Sequence, residues 1–106
     1  MIGALADLES LPGAERVLPG LADLLAGRET VEALLVEIAA PRLRRLGLAI
    51  PVRDDLEPER RLYALLAAAN PHDVHARYNA LLRRLIAFSQ ALEGRVSRAR
   101  RSSEAR

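Results

Sequence analysis

The side chains with the greatest chemical potential occur together in one short stretch, which holds both histidines of the sequence. His72 and His75 are three positions apart, so on a helix they lie on the same side, with Asp73 between them. Imidazole and carboxylate groups are ligands of divalent metal ions. However, the positive end of a helix disfavours a cation, and no third histidine is available to complete a ligand set. We therefore expect no metal site, because polar capping of a helix start already explains the cluster.

The same stretch has a second chemistry, the binding of an anion. Arg77 and Arg84 lie on or near the exposed side of the predicted helix, with Arg83 close to them. Arginine side chains and the N–H groups of a helix N-terminus both bind phosphate. The candidate contacts for an anion or a partner are His72, Asp73, His75, Arg77, Asn79 and Arg84. A solvated helix face is the alternative explanation, and Tyr78 is expected in the core.

Other catalytic chemistry has no motif in the sequence. The chain has no cysteine, which excludes thiolate nucleophiles, disulfides and cysteine-ligated metal centres. Ser10, Thr30 and Ser89 are the serines and threonine ahead of the final basic segment, and none stands in a nucleophile motif. We predict no catalytic residue, no metal and no cofactor. A small phosphate- or metal-dependent enzyme built on residues 72–79 is an alternative.

The basic charge of the chain belongs to its last residues. Residues 1–93 hold eleven arginines and thirteen acidic residues, whereas residues 94–106 hold five arginines and one glutamate. We predict that this tail is disordered, because it combines like charges with few apolar side chains. Its candidate contacts to nucleic-acid phosphates are Arg95, Arg98, Arg100 and Arg101. The alternative is a tail that only improves solubility. A second basic cluster, residues 42–45, is explained by its place at a helix C-terminus.

The composition predicts that helices position these groups. Leucine and alanine dominate the apolar residues, while the β-branched and aromatic residues that strands prefer are scarce. All sixteen basic residues are arginine, which we interpret as the codon usage of a GC-rich bacterial genome. The sequence predicts an all-α fold: one domain, residues 1–93, forming a compact bundle of four to six helices. The bundle ends in a long helical hairpin, residues 56–93, followed by the tail.

Prolines and glycines divide the first half of the chain into predicted elements. Breaks at Pro12-Gly13 and Pro19-Gly20 separate two short helices. The residues between the breaks, 14–18, are predicted to form either a helical turn or a loop. The first of these helices carries Leu5, Leu8 and Leu11, and the second carries Leu21, Leu24 and Leu25. Thr30 is the predicted N-cap of the next helix, which Pro41 bends or interrupts and Gly47 ends in the left-handed conformation.

The second half is predicted to hold the hairpin. Residues 48–52 form a loop, and Pro58 stands in the acidic first turn of a helix. Asn70 caps the final helix, with Pro71 at its first position. The apolar stripe of that helix is Val74, Tyr78, Leu81, Leu85, Phe88 and Leu92, widened by Leu82 and Ile86. Gly94 ends it.

These patterns favour a non-catalytic interaction or regulatory module. No apolar stretch is long enough for a membrane span, and the first residues lack the basic region of a signal peptide, so we expect a soluble cytoplasmic protein without membrane contact. Wide leucine stripes in a small bundle leave apolar surface for a protein partner or a second copy of the chain. Nucleic-acid binding through the tail is the alternative.

Overall fold

The computed structural model describes residues 7–51 and 57–104 of the chain. Over these residues the protein consists of helices α1 Ala14–Leu25, α2 Val31–Arg45, α3 Pro58–Ala69 and α4 Val74–Glu104, preceded by one 3₁₀ turn, Leu8–Ser10. The described residues contain no strand, which confirms the all-α prediction. The described residues contain four α-helices, the lowest number in the predicted range of four to six. Leu5 and residues 52–56 lie outside the described residues.

Helix α1 is continuous across Pro19 and Gly20, so the predicted break at this pair is wrong. The physical reason is the packing of α1 on α2. A Cβ atom built on Gly20 would lie 2.2 Å from the carbonyl oxygen of Glu32, so only glycine lets the two backbones approach this closely. The break at Pro12-Gly13 is confirmed, because Gly13 adopts the left-handed conformation, with φ 83°, at the residue before α1.

The start of α2 follows the sequence prediction. Thr30 is its N-cap, and the Thr30 hydroxyl oxygen accepts a hydrogen bond from the Ala33 N–H at 3.1 Å. The same hydroxyl donates to the Asp23 carboxylate at 2.8 Å, which ties the start of α2 to the end of α1. Pro41 lies inside the continuous helix, so a helix interruption at this proline is wrong. The Pro41 ring is exposed and faces water at this point.

The predicted end of α2 is confirmed in detail. Gly47 is left-handed, with φ 107°, and its N–H donates to the Arg44 carbonyl at 3.0 Å. The Leu48 N–H donates to the Leu43 carbonyl at 3.0 Å, which completes a Schellman motif. Arg44 then holds the connector, because its guanidinium donates to the carbonyl oxygens of Ile50 at 2.8 Å and Pro51 at 2.5 Å. The connector is non-helical over residues 48–51, as predicted.

The hairpin of α3 and α4 has a longer turn than predicted. Pro58 occupies the first helical position of α3 as expected, but α4 begins at Val74 rather than at Pro71. Asn70 is therefore not the N-cap of α4. Its side-chain oxygen instead accepts from the His72 N–H at 3.0 Å, and Asp73 adopts a left-handed φ of 55°. This local hydrogen bond stabilises a turn in place of a first helical turn.

Helix α4 does not end at Gly94. It continues to Glu104 and is 31 residues long, so residues 94–104 of the predicted disordered tail are helical, and residues 105 and 106 lie outside the described residues. The reason is the burial of Val96, which is 1% exposed and belongs to the core. The free energy gained by burying Val96 exceeds the helix penalty of glycine, which is about 1 kcal/mol. The helix therefore continues beyond Gly94.

The core draws on all four helices and on the connector. Its fully buried large side chains are Val17, Leu34, Leu35, Val36, Leu43, Leu62, Phe88, Leu92 and Val96. Leu48 and Ile50 close the core from the connector, which explains why this apolar segment is buried without being a strand. Ile86, expected to widen the buried stripe of α4, is instead 49% exposed.

Candidate functional site

The histidine cluster lies in the turn before α4 and in its first residues. His72 and Asp73 are exposed in the turn, and His75 is exposed on α4 with its ring centroid 6.4 Å from that of Tyr63. Among the residues that the structure describes, no three acidic or histidine side chains converge as a metal site would require. Asn79 is half-buried on α4. None of these four side chains lines either of the two concave surfaces that the described residues form below.

Arg77 has a structural contact that its sequence position did not reveal. Its Nη2 donates to the carbonyl oxygens of Leu66 at 3.3 Å, of His72 at 3.1 Å, and of Asn70. These carbonyls belong to the C-terminal end of α3 and to the following turn, where the helix carries partial negative charge. Arg77 therefore stabilises the hairpin turn.

Arg84 is also engaged, seven residues further along α4 than Arg77. Its Nε and Nη2 donate to the two carboxylate oxygens of Glu15 at 2.9 and 3.1 Å, a bidentate pair that joins α4 to α1. A backbone hydrogen bond at Glu15 and this side-chain bond lower the pKa of the Glu15 carboxyl. Arg77 and Arg84 nevertheless line one cleft together, which the histidines do not line.

The structure brings together two basic clusters that are far apart in the sequence. A groove of about 300 Å³ lies between the C-terminal turns of α2 and the later part of α4. It is lined by Arg42, Arg45, Leu46, Glu93, Val96, Ser97 and Arg100. In the sequence, the position of residues 42–45 at a helix C-terminus is enough to explain their charge. Only the packing of α2 against α4 places them beside the arginines that follow Gly94.

The arginines of this groove differ in their contacts. Arg42 forms an ion pair with Glu93. Arg45 and Arg100 are exposed and have no ion pair with any residue that the structure describes. Their guanidinium groups are therefore available to an anion, and Ser97 supplies a hydroxyl beside them.

The four candidate arginines of the tail also divide into two kinds. Arg95 donates from Nη1 to the Asp7 carbonyl at 2.7 Å and from Nη2 to the Ser10 hydroxyl at 3.1 Å. It thereby holds the N-terminal turn against α4. Arg98, Arg100 and Arg101 are exposed on the end of the helix, and no hydrogen bond or ion pair joins them to the described residues.

We call residues 42–45 and 93–104 the basic end. It holds seven arginines against two glutamates, whereas the remainder of the chain holds nine arginines against twelve acidic residues. The C-terminus of α2 contributes only about half a negative charge to this end, so the five excess positive charges dominate the local potential. The net charge of the protein is thus small, but it is strongly polarised.

Comparisons with protein-family models, with curated proteins and with solved structures find no match. None of the helices described is both long and apolar enough to cross a membrane.

Proposed function

We propose that the protein is a non-catalytic binding module whose basic end binds the phosphate backbone of a nucleic acid. The observation that carries this proposal is the groove in which Arg45 of α2 and Arg100 of α4 lie together without carboxylate partners among the described residues. Guanidinium groups bind phosphate through two parallel N–H donors, and neutralising phosphates releases condensed counterions.

The end of α4 extends this surface beyond the bundle. Val96 is the last buried residue of the helix, and residues 97–104 form about 12 Å of helix with no buried side chain. Around the helix axis, Arg100 is turned by about 200° and Arg101 by about 300° from Arg98. The three guanidinium groups therefore spread over about 160° of the helix circumference.

That distribution favours a nucleic acid over an acidic protein surface. The major groove of a duplex is about 12 Å wide and admits an α-helix with a phosphate strand on each side. Arginines on opposite sides of α4, such as Arg98 and Arg100, suit two flanking strands. A flat acidic surface would contact only one side of the helix.

The binding we propose is independent of base sequence. The basic end contains no aromatic residue, so it has no platform on which bases stack. Four arginines have no carboxylate partner in the described part of the chain, and they would neutralise about four phosphates on a duplex: Arg45, Arg98, Arg100 and Arg101. The logarithm of the binding constant should then fall against the logarithm of salt concentration with a slope of about −3 to −4.

Fluorescence anisotropy with a labelled duplex of about 20 base pairs, between about 50 and 200 mM salt, measures this slope. The double variant R45Q/R100Q should weaken binding and reduce the slope by about 2. The matched control is R60Q/R83Q, which removes the same charge from exposed arginines outside the basic end. Arg83 lies 17 residues before Arg100, about 25 Å along α4, so the control should keep most of the affinity.

Three outcomes would contradict the proposal. Absence of binding at the lowest salt concentration would refute the proposal. An equal loss of duplex affinity in both double variants would show that the affinity depends on net charge and not on the groove. The third outcome comes from measuring the binding of polyglutamate that carries the same charge as the duplex. If it binds as tightly as the duplex, the partner is an acidic protein surface rather than a nucleic acid.

A protein partner or a second copy of the chain remains the second candidate. The observation in its favour is that two large apolar side chains, Leu25 at 63% and Ile86 at 49%, are exposed in the described part of the chain. Light scattering over a range of protein concentrations tests self-association directly. The mass of a single chain at every concentration would argue against it.

A further inference from the structure

A second concave surface lies at the junction of all four helices, away from the basic end. It is a cleft of about 490 Å³, a volume within the range of small-molecule sites. Arg16 of α1, Glu32 of α2, Leu66 of α3 and Arg84 of α4 all line it. From Arg84 to Arg100 the distance along α4 is 16 residues, about 24 Å, so the cleft and the groove are separate.

The floor of the cleft is apolar. It consists of Val31, Leu66, Ala80 and Leu81, of which Leu66 and Leu81 also belong to the buried core. Such a floor binds the methylene or ring groups of a ligand, because burying them removes apolar surface from water.

The polar rim carries unused hydrogen-bond donors. Arg16 donates from Nη1 to the Glu32 carboxylate at 3.1 Å, and its other donors have no partner among the described residues. Arg84 uses one edge of its guanidinium on Glu15 and keeps the Nη1 donors. Both side chains are about half exposed, at 47% and 48%. An anion can therefore bind both arginines without breaking either ion pair.

The charges of the rim select the class of anion. Arg16, Arg77 and Arg84 face the cleft together with one carboxylate, that of Glu32, so the lining is positive overall. Arg77 is held on the carbonyls of the hairpin turn, which keeps its charge at this position. Glu15 pairs with Arg84 at the edge of the rim, so three arginines and two carboxylates leave about one net positive charge, which a monoanion such as a carboxylate neutralises.

We infer that this cleft binds a small organic carboxylate with an aliphatic body. The carboxylate would contact Arg16 and Arg84, and the aliphatic chain would lie on the floor formed by Leu66 and Leu81. This inference is independent of the nucleic-acid proposal, because it uses different residues on a different part of the molecule.

An NMR titration of the full chain with hexanoate tests the inference, with acetate and hexanol as the two partial ligands. Hexanoate should cause saturable shifts of the amide signals of Val31, Leu81 and Arg84. Acetate lacks the four further methylene or methyl groups, and hexanol lacks the charge, so each should bind at least about tenfold more weakly.

Two charge variants and one variant that narrows the cleft separate binding from folding. R16Q/R84Q should weaken hexanoate binding at least about tenfold, whereas R83Q, which changes an exposed arginine outside the cleft lining, should leave it unchanged. Ala80 is exposed and lines the cleft, so A80L narrows the cleft without altering a core residue or an ion pair. This variant should block hexanoate while retaining the helical circular dichroism and the duplex affinity.

The inference is overturned if hexanol binds as tightly as hexanoate, if the shifts lie away from the cleft, or if A80L still binds. Loss of hexanoate binding in A80L with unchanged duplex binding supports it. Failure of duplex binding alone, with hexanoate binding intact, would affect the proposed function and not this site.

Discussion

The substitution Gly20→Ala tests the packing that lets α1 run through its proline-glycine pair. Gly20 has an ordinary helical backbone, so alanine at this position would stabilise an isolated helix by about 1 kcal/mol. In the bundle, the new Cβ would lie 2.2 Å from the Glu32 carbonyl oxygen, 2.7 Å from its carbonyl carbon and 2.8 Å from Val36 Cγ2. The two contributions therefore have opposite signs.

The steric contribution should dominate. The nearest atoms are backbone atoms of α2, which cannot rotate away, so α1 and α2 must separate. Ordinary carbon contacts need about 3.5 Å, and overpacking of a core typically costs about 1–3 kcal/mol. We expect Gly20→Ala to lower the free energy of unfolding by about 1–3 kcal/mol, after the gain in helix propensity is included.

Urea unfolding followed by far-ultraviolet circular dichroism measures this change, and Gly94→Ala is the matched control. A Cβ on Gly94 would meet only the mobile end of Arg98, at 3.4 Å, and the backbone there is helical. We expect Gly94→Ala to raise the free energy of unfolding by about 0.5–1 kcal/mol. If Gly94 instead ended the helix in the left-handed conformation, the same substitution would be destabilising.

Two results would refute this reasoning. A neutral or stabilising Gly20→Ala would show that α1 and α2 do not approach as closely as the structure places them. A destabilising Gly94→Ala would show that α4 ends where the sequence pattern predicted and that residues 95–104 are not helical in solution.

Three further predictions follow from individual side chains. Phe88 is fully buried, so Phe88→Ala should cost about 3–5 kcal/mol in urea unfolding, whereas substitution of exposed Ile86 should have little effect. Thr30→Ala removes the N-cap of α2 and should cost about 0.5–2 kcal/mol, with Thr30→Ser as the control that retains the hydroxyl. Hydrogen bonds from Arg28 and Thr30 lower the pKa of the Asp23 carboxyl below its ordinary 3.8. Because this folded-state pKa is depressed, the stabilisation is present above pH 3.8 and is lost as the pH falls through the folded-state pKa. Asp23→Asn should therefore flatten the acid dependence of the urea midpoint, and an unchanged dependence would show that other groups set it.

The features of the fold that could be predicted depend on charges and hydrogen bonds between residues a few positions apart. The Thr30 cap, the left-handed Gly47 and the helix start at Pro58 each depend on contacts inside one turn, so the residue types and their spacing predict them. The all-α class follows in the same way from composition and periodicity.

Tertiary packing decided the elements where local signals conflicted with distant contacts. The Pro19-Gly20 pair reads as a break locally, but the close approach of α2 stabilises a helix there. The local pattern predicts a helix end at Gly94, but burial of Val96 extends α4 beyond this residue. In each case the contact that decides the conformation comes from another part of the fold.

The candidate sites depended even more on the tertiary structure. The excess of positive charge after Gly94 and the candidate anion contacts Arg77 and Arg84 could be predicted from the sequence. Which guanidinium groups already form hydrogen bonds or ion pairs within the protein could not. Arg77 is held by carbonyls and Arg84 is paired with Glu15, whereas Arg45 lies beside Arg100 and has no ion pair with the residues that the structure describes. Residue type and spacing alone determined the helical class and the chemistry available. Which charges face one another across α2 and α4 was decided by the packing of helices distant in sequence, because a side chain's partners depend on position in space.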